Sequence, residues 1–201
     1  MRRRALRMAL WVGVAIALSP SAVEAHLVTT GLGPVYDGIS HFILTPADLI
    51  PVLALALLAG LRGAPHARAS LIILPAAWLA GGLAGLVISH RLSPAWTTAS
   101  FLVLGGLVAA DARLNRPATI ALTVALGLLH GMLNGQAMAP SGPGLAGLVG
   151  VAGMLFALVA LASALVVSLR APWARVVVRV AGSWIAAIGL LLLGWSLRPG
   201  M

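Results

Sequence analysis

Long apolar stretches, separated by short polar or Pro/Gly-containing segments, follow one another along most of this chain. A membrane helix needs roughly 20 mostly apolar residues, with a range of about 17–25. Six stretches have that length, and they lie near 39–61, 69–89, 94–110, 117–137, 145–169 and 178–197. The pattern predicts an all-α integral membrane protein, in which residues 26–201 form one domain with a six-transmembrane helix bundle.

The first 25 residues predict a cleavable signal peptide rather than part of the bundle. Arg2–Arg4 are basic, Ala9–Leu18 are apolar, and Val23–Ala25 end in the small residue that signal peptidases require. Cleavage after Ala25 would leave His26 at the mature N-terminus, where an amine and an imidazole together form a candidate metal-binding pair. The alternatives are an uncleaved first membrane helix and an ordinary solvated histidine.

Composition supports the membrane assignment and excludes several other classes. Hydrophobic residues make up 61% of the chain and charged residues 8%, whereas a soluble domain carries about 25% charged residues. The net charge of +9 comes from arginines scattered at the ends of the apolar stretches. This distribution does not form a nucleic-acid-binding patch. Cysteine is absent from the sequence, which excludes disulfides and thiolate metal ligands.

The arginines also predict the orientation of the chain. Positive residues concentrate on the cytoplasmic side of membrane proteins, and the alternation of six helices places seven arginines on one side and two on the other. The seven are Arg62, Arg68, Arg113, Arg116, Arg170, Arg175 and Arg179, against Arg91 and Arg198. We therefore expect a multi-pass protein of the bacterial inner membrane with its mature N-terminus outside.

Glycines at four-residue spacing indicate close packing between helices. Gly81 and Gly85 form one such series, and Gly127, Gly131 and Gly135 form another. Small residues in this pattern let helix backbones approach each other in lipid.

Four polar side chains within or beside the apolar stretches are the candidate functional residues: His41, Asp48, His130 and Asn134. Ionisable groups are costly in a membrane and mark functional sites there by default. Imidazole, carboxylate and amide oxygen are groups that bind a divalent metal ion or carry a proton. The sequence therefore predicts that these residues bind a small cation.

The first apolar stretch is interrupted by a proline close to two of these residues. Pro46 disfavours helical geometry at Thr45 and cannot donate to the Phe42 carbonyl. Thr45, Pro46 and Asp48 together form a good helix start, with threonine as the N-cap. Broken helices with freed carbonyls near an acidic residue are how transporters build ion sites. The alternative is that Asp48 is simply a capping carboxylate.

The fourth stretch carries His130 and Asn134 on one helix face, since they are four residues apart. In the predicted topology His130 lies about as deep as Asp48, and Asn134 lies level with His41. A shared site in the outer half of the membrane is therefore allowed. The alternative is an interhelical hydrogen bond, worth about 0.6 kcal/mol in membranes.

The remaining polar residues predict no catalytic centre, so we expect no enzymatic activity. Asp111 lies near Arg113 and Arg116, which indicates an exposed ion pair of small energetic value. Ser141–Gly142 lies in an external turn, and the sequence predicts no Ser–His pair at a common depth. An intramembrane hydrolase is consequently the least favoured of the alternatives.

The two polar segments resemble the signatures of the HupE/UreJ hydrogenase and urease accessory proteins. The run from His41 to Leu58 is similar to the first signature of that family, and Leu128–Gly135 is similar to the second, which contains a His-Gly pair. The family has histidine where this chain has Leu49 and Asn134, and the spacing from His41 to Asp48 is one residue longer. The resemblance implies a secondary permease for nickel or cobalt that serves metalloenzyme assembly.

Together these observations predict secondary transport of a divalent transition-metal ion across the inner membrane. Metal sites are expected at His41, Asp48 and His130, at Asn134 as an altered position, and at His26. The transported ion is the expected substrate, the lipid bilayer and a second copy of the chain are expected partners, and no permanently bound cofactor is expected. The alternative is a non-transporting membrane accessory protein that binds metal or a partner protein.

Overall fold

The computed structural model describes residues 30–88, 92–93, 95–139 and 143–198. This part of the chain is helical and contains no strand. The predicted signal peptide, His26 and Ser141–Gly142 lie outside the described residues. The helices are α1 (Pro34–Leu44), α2 (Pro46–Arg62), α3 (Ala64–Val87), α4 (Ala95–Ala109), α5 (Arg116–Met138), α6 (Gly144–Ser168) and α7 (Pro172–Ser196).

Four helices, α3, α5, α6 and α7, are long and apolar enough to cross a membrane, and α1 with α2 form a bent fifth candidate. Helix α4 is apolar but has only 15 residues, which is about 22 Å at 1.5 Å per residue. The hydrocarbon core of a bilayer is about 30 Å thick. The apolar helices confirm an all-α, multi-pass membrane protein, while the count of six spans stays a prediction.

Pro46 separates α1 from α2, and the two helices meet at an angle of 77°. The Thr45 hydroxyl donates to the His41 carbonyl at 2.6 Å, and its backbone N–H donates to the Phe42 carbonyl at 3.3 Å. The break is where the sequence predicts it. However, the Thr45 side chain caps the end of α1 instead of the start of α2. Pro46 cannot donate to the Phe42 carbonyl, but that carbonyl is already hydrogen bonded because it accepts from the Thr45 N–H.

Helix α2 is the central element of the bundle. It contacts every other helix of the described chain, and Val52, Leu55 and Leu58 on it have no exposed surface. Its apolar side chains pack against these neighbours. Asp48, in the first turn of α2, is consequently carried into the interior and is 5% exposed.

Helices α3 and α5 form the most extensive helix pair, and their glycines account for the close approach. A Cβ on Gly81 would collide with the Leu128 carbonyl, and one on Gly131 would collide with the Trp78 carbonyl. The close packing predicted from these glycines is confirmed. Because the backbones touch, the depth of His130 relative to α3 is tightly set.

Asp111, which follows α4, joins three helices at the opposite end of the bundle from Asp48. Its carboxylate pairs with Arg62 at the end of α2 and with Arg175 at the start of α7, at 3.2 Å. The predicted pairing with Arg113 and Arg116 is wrong, because the helix ends that converge there belong to residues distant in sequence. The pair with Arg62 is also less exposed than expected, since the arginine side chain is 10% exposed.

We expect Gly81→Ala to lower the thermal unfolding midpoint of the protein in detergent, because the added methyl group must push α3 away from α5. Overpacking of this kind costs about 1–3 kcal/mol. The matched control is Gly153→Ala, a helical glycine with open space around its Cβ position. Alanine favours a helix over glycine by about 1 kcal/mol, so the control should be unchanged or more stable. Equal midpoints for the two variants would contradict the close contact at Gly81.

Candidate functional site

Three polar side chains from two helices meet inside the bundle. Nδ2 of Asn134 donates to Oδ2 of Asp48 at 2.5 Å, and Nδ1 of His130 lies 2.8 Å from Oδ1 of Asp48. His130 is fully buried, and Asn134 is nearly so. His130 and Asn134 are one turn apart on α5, so one face of that helix presents both groups to the carboxylate on α2. The structure thus brings together three of the predicted metal ligands.

Ser100 on α4 is a fourth member of this group, and it was not predicted as a site residue. Its Oγ lies 2.9 Å from Nε2 of His130 and 3.0 Å from the Trp96 carbonyl oxygen. The expectation that no Ser–His pair forms is therefore wrong. Which serine meets His130 depends on how α4 packs beside α5. Serine is not ionisable, and the same stretch also contains Thr97 and Thr98, so no sequence signal singles out Ser100.

Aromatic rings hold the imidazole in place. Trp78 on α3 stacks on His130 with ring centroids 5.8 Å apart and an interplanar angle of 29°. Phe42 meets the same tryptophan edge to face at 5.9 Å. Both Trp78 and Phe42 are fully buried. The His130 ring is therefore fixed in its plane by stacking and at both nitrogens by polar neighbours.

His41 lies in the last turn of α1, before the bend, and is 8% exposed. Among the described residues, however, no hydrogen bond or ion pair joins its ring to the Asp48–His130–Asn134 group. The bend at Pro46 explains the separation, since it removes the continuous helix on which both side chains would share one face.

A divalent cation fits this group only if amide or hydroxyl oxygens take part. Within the described chain, no three His, Cys, Asp or Glu side chains lie close enough to hold a metal ion. Asn134 nevertheless has a buried Oδ1 with no hydrogen-bond partner there, beside the Asp48 carboxylate. An unpaired buried oxygen is costly, and a cation would satisfy it.

The spacing of the donor atoms is also compatible with a metal ion. Metal–nitrogen and metal–oxygen bonds are about 2.0–2.2 Å long, so two ligands at a right angle lie roughly 3 Å apart. Nδ1 of His130 and Oδ1 of Asp48 are 2.8 Å apart. Each carboxylate oxygen keeps a lone pair after accepting one hydrogen bond. Asp48, His130 and Asn134 therefore form a fitting donor set once the proton between the first two is gone.

The order Ser100, His130, Asp48 is also that of a hydrolytic triad, in which histidine activates a serine. Acyl transfer additionally needs two free donors aimed at the oxyanion. Ser100 lies inside α4, where the backbone N–H groups are used in the helix. Its hydroxyl also has its own helix as a hydrogen-bond acceptor. The local structure favours a polar binding site over an acyl-transfer centre.

Comparison with known families gives one match. The model of the family described as HupE / UreJ protein matches residues 14–192. The matched range includes α1 to α6 and every residue of the site described above. No curated protein and no solved structure gives a significant match.

We expect the stability effects of Asp48→Asn and Asn134→Ala to be non-additive. An asparagine at position 48 has one acceptor oxygen for two donors, so part of the bond to Asn134 is already lost in the single variant. Buried polar pairs in membrane proteins couple by about 0.6 kcal/mol on average and 1.7 at most. Equilibrium unfolding of the two single variants and the double variant in mixed micelles measures this coupling free energy.

The control cycle combines Asp37→Asn with Asn134→Ala. Asp37 accepts its hydrogen bonds from Thr30 and has no contact with Asn134, so this cycle should be additive. Additivity in the Asp48 cycle as well would contradict the hydrogen bond between Asp48 and Asn134.

Proposed function

This chain belongs to the HupE/UreJ family, and we propose that it carries a divalent transition-metal ion, nickel or cobalt, across the membrane for metalloenzyme assembly. The family is associated with nickel accessory function for hydrogenase and urease. The observation that supports transport here is the buried contact of Asp48 with His130 and Asn134. In this proposal the ion is cargo, the protein is not an enzyme, and no cofactor is permanently bound.

A carboxylate inside an apolar bundle is the main physical argument for a cation as cargo. Asp48 is the only buried acidic side chain among the described residues. A charge at that depth is costly unless it is paired. A divalent cation would neutralise it more completely than two N–H donors do. Asp48 also lies one turn after a break between helices, the arrangement in which transporters form ion sites.

The driving force would come from the membrane. The sequence contains no G-x-x-x-x-G-K-[ST] nucleotide-binding loop. An inner-negative potential favours cation entry by about 2.3 kcal/mol per charge per 100 mV. We propose that an ion reaches the site from the periplasmic side, loses water to the donor set and leaves inward when the bundle rearranges.

We place the protein in the bacterial inner membrane with its mature N-terminus outside. The support is the distribution of arginines. Arg62 and Arg175 meet at one end of the bundle around Asp111, whereas Arg198 contacts the Trp195 ring at the end of α7. The arginine-rich end is the cytoplasmic end by the positive-inside rule. The site then lies in the outer half.

A non-transporting accessory protein is the second candidate function, and one observation favours it. Both oxygens of Asp48 and both nitrogens of His130 already have protein partners, as expected for a closed site. Such a protein would bind metal, or a partner protein, without moving the ion. Metal binding by the purified protein without accumulation in cells would identify this case.

Cells that produce this chain should accumulate radioactive nickel above cells with an empty vector, and Asp48→Asn should reduce uptake to the vector level. The amide keeps the size of the side chain but removes the charge that attracts the ion. Asp37→Asn is the matched control, because it makes the same change in a carboxylate outside the site, and it should keep uptake. Asn134→Ala, which removes the unpaired oxygen, should weaken uptake without abolishing it.

Variant proteins must first be shown to reach the membrane at equal levels with a single gel-filtration peak in detergent. Uptake at the vector level by the unchanged chain, with nickel and then with cobalt, would reject transport of these ions. Uptake that Asp48→Asn leaves intact would instead place the ion pathway elsewhere in the bundle.

The proposed orientation predicts which loops are reached from outside the cell. Since the chain has no cysteine, single cysteines can be labelled without background. Ser93→Cys, between α3 and α4, should react with a membrane-impermeant maleimide on intact cells. Ala112→Cys, between α4 and α5, should react only after lysis. The reverse result would show that the orientation is the opposite of the proposed one. Reaction of both cysteine variants on intact cells would show that α4 does not cross the membrane.

A further inference from the structure

The two nitrogens of the His130 ring face surroundings of opposite character. On the Nδ1 side lie the Asp48 carboxylate and, beyond it, the unpaired Oδ1 of Asn134. On the Nε2 side lies Ser100, which lines a cleft of about 150 Å³ between α4 and α5. The other walls of that cleft are apolar: Trp96, Ala99, Val103, Leu104, Leu122, Ala125, Leu126 and Leu129.

We infer that Ser100 is a positioning residue for the cargo ion, because its Oγ accepts a hydrogen bond from Nε2–H of His130 while Nδ1 binds the ion. This inference rests on the proposed function and adds a residue to its site. Neither the family match nor the sequence pattern points to Ser100.

A cation needs several donor atoms at once, and only the Nδ1 side supplies them. Asp48 and Asn134 both lie there, and the distance from Nδ1 to the carboxylate suits two neighbouring ligands. The Nε2 side offers one hydroxyl and hydrocarbon, which cannot replace the water shell of a divalent ion. The ion is therefore bound through Nδ1, the nitrogen that now contacts Asp48.

Binding through Nδ1 requires His130 to change its tautomer. In the absence of an ion, Nδ1–H donates to Asp48, and Nε2 accepts from the Ser100 hydroxyl. When Nδ1 becomes a ligand its proton leaves, and a neutral ring must carry a proton on Nε2 instead. The Nδ1 proton passes to water released by the ion, and water supplies the proton that Nε2 gains, so the imidazole stays neutral and the water has no net change in protons.

Ser100 can serve both tautomers because its hydroxyl has two possible acceptors. Nε2 of His130 lies 2.9 Å from Oγ, and the Trp96 carbonyl lies 3.0 Å from it. In the ion-free state the hydroxyl donates to Nε2. With the ion bound, the hydroxyl rotates to donate to the Trp96 carbonyl, and Oγ accepts from Nε2–H. Neither state leaves a buried donor unpaired.

Without the hydroxyl, the ion-bound state would leave the buried Nε2–H without its hydrogen-bond acceptor. A metal-binding histidine normally donates its other N–H to an oxygen acceptor, and loss of that acceptor lowers metal affinity about 10- to 100-fold. We therefore expect Ser100→Ala to weaken Co²⁺ binding by that factor. Ser100→Thr keeps the hydroxyl, and its extra methyl group has room in the cleft, so it should bind Co²⁺ nearly as well as the unchanged protein.

The experiment is titration of the purified full chain in detergent with Co²⁺, followed by its visible absorption, for the unchanged protein and three variants. Besides Ser100→Ala and Ser100→Thr, the third variant is Ser70→Ala. Ser70 is buried on α3 and contacts Thr123, so this control loses the same hydroxyl at a distance from the site. Its affinity for Co²⁺ should not change.

The tautomer of His130 reports directly which ring nitrogen binds the ion. Nitrogen-15 spectra of histidine-labelled protein should show the proton on Nδ1 without metal and on Nε2 at saturation with Zn²⁺, a diamagnetic probe. A proton that remains on Nδ1 in the saturated protein would overturn the inference. So would unchanged Co²⁺ affinity in Ser100→Ala, or labelling of Ser100 by a fluorophosphonate, which would identify it as a nucleophile.

Failure of the inference is distinguishable from failure of the proposed function. If the unchanged protein binds neither Co²⁺ nor Ni²⁺, both are rejected. If it binds Co²⁺ and Ser100→Ala binds equally well, the metal site stands and the role of Ser100 is rejected. A loss in Ser100→Ala that Ser100→Thr restores and Ser70→Ala lacks supports the role of the hydroxyl.

Discussion

The burial of the Asp48 carboxylate is the constraint on which the rest of this bundle depends. A negative charge on the central helix of an apolar protein must be compensated, because an unpaired ion there costs several kcal/mol. His130 and Asn134 on α5 supply the compensation. Helix α5 must therefore present one face to the start of α2, at one depth. The neighbours of that face, Trp78 and Ser100, follow from this requirement.

Two local features make that arrangement possible. Pro46 turns the chain by 77° directly before α2, so Asp48 enters the interior in the first turn of a helix and not in its middle. Glycines such as Gly81 and Gly131 let α3 and α5 touch along their backbones, which leaves little freedom for α5 to slide. Pro46 positions Asp48, and the glycines position His130 and Asn134. Neither proline nor glycine has a side-chain functional group that could bind an ion.

The donor set is richer in oxygen than a site built of imidazoles. One carboxylate, one amide oxygen and one imidazole form the close group, while His41 stays outside its hydrogen bonds. Imidazole suits nickel and cobalt, whereas oxygen ligands suit harder ions such as manganese. In the proposed function, Asn134 in place of the histidine that the family resemblance implies would have a direct consequence for selectivity. It would shift the site toward ions that accept mixed nitrogen and oxygen ligands.

The sequence by itself determined the all-helical class of this protein, the break at Pro46, and the three polar residues Asp48, His130 and Asn134 that the structure brings together. Hydropathy, proline breaks and the free-energy cost of placing Asp48 in a membrane depend on the local sequence, so they can be predicted from it. Only the tertiary structure decided that Ser100 meets His130, that Asp111 pairs with Arg62 and Arg175, and that His41 stays apart. Those contacts depend on how each helix is rotated and how far it is shifted against its neighbours. Side chains on lipid-compatible helices are apolar on nearly every face, so no periodic pattern records that rotation.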